Sequence, residues 1–371
     1  MSLLRPRRTT VAVTTLVLGV LAAGQAAAAP APAPAPAGQV STGQVSAIED
    51  GMARTLATTL ADPAWQTRLR GATADGPTGL APLAAQSATA PGRHLAAATA
   101  DADRGIARAK GLGADLGPLL RVQLADPSMR AALDAGAAPL VATAVADDHA
   151  RTVRAYDTAG RAHTLDTREI PRQPVYLVDL DGAKALEAGL EVLKREFAAK
   201  GVATAQAAGG WWATKINKIE VSDDEEPWFK GAAEMFSLVT GFGQDGKVRV
   251  DSVAMPYLRY DGTVYQPNQI LVNWSNYKYN LADVVLMEDD GDTNYLALAQ
   301  AVAAVLLTIA DQGAYIPLVN AVLAALPTSW WTDDPDYVDS WYTLARTSSG
   351  RLNGATGNGW MEVQPYFVEQ F

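Results

Sequence analysis

Aromatic side chains are spread so unevenly along this chain that one uniform fold type from end to end is excluded. Eight of nine Trp, ten of twelve Tyr and five of six Phe lie from Trp211 onward, whereas Ala dominates before it. Aromatic and β-branched residues suit pleated, half-buried surfaces, and Ala suits helices. The split therefore predicts an α+β fold in two parts: a helix-rich α+β domain over residues 45–208, then an antiparallel β-sandwich over residues 209–371. Ahead of Gly209 and Gly210, residues 202–208 are small and lack periodicity, as in a linker between units that each own a core. With 371 residues, 49 % of them apolar, the chain is long and hydrophobic enough for two such cores.

The first residues read as an address. Arg5, Arg7 and Arg8 precede the apolar run 11–23, and small residues 26–29 lead into Pro30, the pattern of a cleaved secretory signal over residues 1–29. The apolar run is shorter than the roughly 20 residues a membrane span needs. The Arg7-Arg8 pair leaves general and twin-arginine export both open. Residues 30–44 alternate Pro with Ala at first and form an extended spacer. Cleavage removes three Arg and no acid, moving the formal charge from −10 to −13. Such a surface repels nucleic acid and anionic membranes and attracts cations. Zero Cys excludes disulfides, thiolate metal sites and cysteine nucleophiles.

Within the first half, Asp62-Pro63 and Asp126-Pro127 are helix starts, because Asp caps exposed N–H groups and Pro fits the first helical position. Residues 152–164 alternate around Asp157 to Gly160 and predict a hairpin. Residues 175–180 predict a buried strand, and residues 182–200 an amphipathic helix stopped by Gly201. In the second half, seven runs predict strands: 216–221, 233–240, 247–253, 270–274, 283–287, 341–344 and 360–366. A helical insertion over 295–326 interrupts them, with apolar helices at 295–310 and 314–326.

Carboxylates bunch at three points beside strand ends. They are Asp223, Asp224, Glu225 and Glu226; Glu288, Asp289, Asp290 and Asp292; and Asp333 and Asp334 with Asp336 and Asp339. If these loops meet, their like charges call for a cation, and Ca2+ takes six to eight oxygens in flexible geometry. The expected metal ligands are Asp223, Asp224, Glu226, Asp289, Asp290, Asp292, Asp334 and Asp336. Asp290, Asp292 and Asn294 share the opening spacing of an EF-hand, but Tyr295 stands where that loop needs Gly and Ala301 where it needs Glu, so any calcium is shared between loops. The bland reading is three solvated turns.

The strings Asp224 to Trp228 with Gly231 to Glu234, Met255-Pro-Tyr257, Pro267 to Ile270, Asp283 to Asp290 and Asp336 to Asp339 resemble a family of secreted bacterial proteins, domain-of-unknown-function family 3103. The resemblance implies secretion and a shared architecture. It brings no activity and no catalytic residues.

No residue set names a reaction. There is no Gly-x-Ser-x-Gly elbow or His-Glu-x-x-His motif, and the three His lie in the Ala-rich half. Zinc at His149, His163 and Asp147 or Asp148 is the weaker alternative to surface histidines. A glycoside hydrolase would use Glu226 or Glu234 as its acid. Trp211-Trp212 and Trp330-Trp331 either close the core or stack on sugars. The pair 295–326 also admits a membrane-active reading, though each arm is shorter than a span. The leading expectation is a secreted, calcium-binding recognition module with an extracellular glycan or protein as partner.

Overall fold

The protein's computed structural model describes residues 43–113, 115–144, 150–202, 210–222, 234–260, 262–289, 291–326 and 337–369. Helices open the fold: α1 (Gln44–Thr59), then α2 (Pro63–Ala72), whose start is capped by Asp62 accepting from Ala64 N at 2.9 Å. After β1 (Thr78–Gly79) come α3 (Leu80–Ala85), α4 (Ala90–Ala109) and β2 (Leu120–Leu124). At the second Asp-Pro, Asp126 accepts from Ser128 N, but the result is one 3-10 turn followed by the short α5 (Arg130–Asp134). Next are β3 (Leu140–Thr143), the hairpin of β4 (Thr152–Tyr156) and β5 (Ala162–Asp166), β6 (Val175–Leu180) and α6 (Gly182–Ala199). Gly160 closes the hairpin turn at φ 73°, the conformation that favours Gly.

The second half supplies β7 (Trp211–Val221), β8 (Met235–Phe242), β9 (Val248–Ala254), β10 (Gln269–Asn273), β11 (Leu281–Glu288), α7 (Tyr295–Leu306), α8 (Val319–Ala325), β12 (Tyr337–Ala345), β13 (Gly350–Asn353) and β14 (Gly359–Val368). Each predicted strand has its counterpart, and β13 is additional. The two helices are shorter than the pattern suggests. Pro317 lacks the N–H an interior helical position needs. The buried Asp283 accepts instead from Leu318 N at the start of α8 and from Thr343 N of β12 at 2.7 Å.

Three sheets organise these elements. The first is mixed, in the order β1-β2-β6-β3-β4-β5, with β3 and β6 parallel and the other neighbours antiparallel. The other two are antiparallel throughout, β10-β7-β14-β13 and β12-β11-β8-β9. The sheet holding β8 and β11 has apolar residues on both faces. Val239, Val284 and Leu286 join Ile216, Ile219, Met361 and Val363 of the β7–β14 sheet in one cluster. Phe236, Leu238, Phe242, Val285 and Met287 join a larger cluster with α1, α4, α6, α7 and α8. Double burial explains why β8 and β11 read as continuous apolar runs rather than alternating ones. The larger cluster takes side chains from both sides of residue 208, and the described residues belong to one compact unit.

Among the described residues no helix is long and apolar enough to cross a membrane.

Candidate functional site

The register of the β12-β11-β8-β9 sheet fixes where the acidic segments attach. Glu288, the last residue of β11, pairs with Met235, the first of β8, and Met287 pairs with Tyr337, the first of β12. The chain therefore enters β8, leaves β11 and enters β12 at one end of one sheet. Asp223, Asp224, Glu226, Asp290, Asp334 and Asp336 lie outside the described residues. Among the described residues no group of three or more His, Asp or Glu is arranged to hold a metal ion.

Asp289 and Asp292, the two remaining predicted ligands, have other partners. Asp292 accepts from Gly43 N, Val45 N and Ser46 Oγ, each at 3.0 Å. It is the cap of α1, whose own preceding residue is Gly43 and offers no side chain. Asn294 caps α7 by accepting from Ala297 N at 2.9 Å, and its amide donates to Ala109 O at 2.6 Å. Two positions of the EF-hand-like spacing are thus helix caps.

At this end of the sheet lies a buried polar cluster drawn from both halves of the sequence. Asp289 faces Lys110, just past the end of α4, at 3.3 Å, and accepts a hydrogen bond from Tyr295 O–H. Gly189 of α6 makes room for Tyr295, since a Cβ there would fall 2.3 Å from its ring. Arg121 of β2 donates to Asp179 at 3.2 Å and lies 3.6 Å from Asp181, the cap of α6. Glu234, immediately ahead of β8, rests its carboxyl on Gly182 in the first turn of α6, where a Cβ would fall 2.2 Å from it. Glu49 of α1 completes the set and is buried.

Carboxyls outnumber cations here, and burial acts against their ionised forms. Desolvation, reinforced by Asp179 and Asp289, pushes Glu234 up to about 8. Desolvation, with Asp179 and Asp292 adding to it, also raises Glu49 well above the usual carboxyl range. Burial raises Asp179 and Asp289, against the pull of Arg121 and Lys110 respectively. At neutral pH Glu234 is thus a protonated acid, able to donate rather than only accept.

The protein family described as "Protein of unknown function (DUF3103)" has a model that matches residues 52–371. The chain belongs to that family. No curated protein and no solved structure matches it. The matched region of this DUF3103 chain includes both sides of the buried cluster, Lys110 and Arg121 from the first half and Glu234, Asp289 and Tyr295 from the second.

Other sequence candidates are dispersed. His163 sits on the β4–β5 hairpin with Nε2 3.0 Å from Asp157, while Asp147, Asp148 and His149 lie outside the described residues. Glu226, Trp330 and Trp331 also lie outside them. Trp212 is 44 % exposed and meets Phe367 edge-on at 5.4 Å. Sequence reasoning missed Lys110, Arg121, Asp179 and Glu49. Asp179 has a local signal, a charge inside the otherwise apolar run Val175–Leu180; Lys110 and Glu49 have none beyond their charge.

Proposed function

We propose that this DUF3103 protein is a secreted, calcium-binding recognition module whose second half is a two-sheet sandwich interrupted by the α7–α8 pair. The observation that supports calcium is the register: the strand ends to which the three acidic segments connect lie side by side at one end of one sheet. Their charges would repel at short range, and a hard cation with oxygen ligands relieves that repulsion. The ligands in this reading are Asp223, Asp224, Glu226, Asp290, Asp334 and Asp336. Asp289 and Asp292 are left to Lys110 and α1. For the sandwich, the support is the apolar cluster shared by the two antiparallel sheets. The Arg-rich start, apolar run and small-residue stretch support secretion.

Thermal unfolding of the chain from Pro30 onward, in EDTA and in millimolar calcium, tests the reading with magnesium as control. A ligand bound only by the native state stabilises by mass action, so calcium should raise the melting temperature by several degrees. The Asp334→Ala, Asp336→Ala variant should lose that response. An unchanged melting temperature in calcium would make the acidic segments solvated surface.

A further inference from the structure

The most deeply buried pair in the cluster sets an ammonium against a carboxylate. Lys110 Nζ and Asp289 Oδ1 stand 3.3 Å apart with side-chain exposures of 0 % and 1 %. They are 179 positions apart in sequence and come from opposite halves of the chain. Nζ also donates to Gly291 O at 3.0 Å and lies 5.2 Å from the centre of the Tyr295 ring. Tyr295 O–H donates to the other carboxylate oxygen, Oδ2.

Both partners are fixed from behind. Tyr295 N donates to Lys110 O at 3.1 Å, and Asn294 Nδ2 holds Ala109 O. Gly111 has φ +66°, and a Cβ there would meet Asn294 Oδ1 at 2.8 Å and Leu296 Cβ at 2.9 Å. The two backbones therefore meet at a point where only Gly fits. A fully desolvated ion pair recovers little of its solvation cost, a cost that a neutral linkage between the two groups does not incur. Held in fixed geometry, an amine and an acyl group react at high effective molarity.

We propose that Lys110 and Asp289 become joined by an intramolecular amide bond. The Nζ lone pair attacks Cγ of Asp289, forming the N–C bond. Tyr295 O–H stabilises the charge that gathers on Oδ2. Two protons pass in turn from Nζ to Oδ1, which lies 3.3 Å away, and the C–Oδ1 bond breaks to release water. One ammonium and one carboxylate thus become one amide and one water, with no oxidant or reductant. The bond would tie the end of α4 to the end of β11, closing the two halves on each other.

Mass spectrometry of the purified full chain, kept folded in EDTA, tests this independently of calcium. The expected result is an intact mass about 18 Da below that of the unbonded chain. Digestion should yield one branched peptide carrying both Lys110 and Asp289, with no tryptic cut after Lys110. Lys110→Arg, which keeps a cation but has no amine to acylate, should show the full mass. Recovery of Lys110 and Asp289 from the wild-type protein in separate unmodified peptides would overturn the proposal. The decisive reading is made on the wild-type chain, so a variant that fails to fold does not affect it.

Discussion

Asp292 shows how one carboxylate carries a structural role that its neighbours in sequence do not announce. Its three hydrogen bonds close the start of α1, and Gly43 supplies no substitute. Asp292→Ala should therefore cost about 1–2 kcal/mol, the usual worth of a lost cap, in urea unfolding followed by circular dichroism. Asp292→Asn should lose less, because the amide oxygen still accepts. The Asp62 and Asp126 caps are legible in sequence because donor and acceptor are two residues apart. Asp292 acts on residues 246 to 249 positions away, so its spacing from Asp290 and Asn294 suggests a ligand set instead. Glu234 is a predicted acid that the structure sets against a helix start; Lys110 and Glu49 have no sequence signal beyond their charge.

At the scale of elements, periodicity located strands and amphipathic helices, but nothing local could state their partners. The apolar run of β8 is visible as a strand, yet its place between β11 and β9 depends on residues far along the chain. The α6–α7 contact is another case. Leu186, Leu190 and Leu193 mark the buried face of α6 in sequence, whereas Gly189 marks nothing until Tyr295 packs over it. Gly189→Ala pushes a methyl group into that ring and should destabilise the protein by about 1–3 kcal/mol, as overpacking does. Gly51→Ala, on α1 with nothing within 4 Å of its Cβ, is the control and should be neutral or slightly stabilising.

For the whole molecule, the buried cluster links stability to pH because it draws on both halves. Glu234 titrates at about 8 when folded and at an ordinary carboxyl value when unfolded. Between those values the native state holds a proton that the unfolded state has released, so stability falls as pH rises through the interval. Glu49 and Asp179 shift in the same direction. The melting temperature should therefore be higher near about pH 5.5 than near about pH 8.5, and Glu234→Gln, which has no proton to lose, should narrow that difference.

The cap on α1 also bears on the order in which this chain can assemble. A polypeptide that emerges amino end first presents α1 among its earliest segments, but the carboxylate that completes the helix start arrives 249 residues after Gly43. Until then the first turn keeps open N–H groups. The earliest helix is thus finished among the last, and a chain halted before Asp292 cannot close its own beginning.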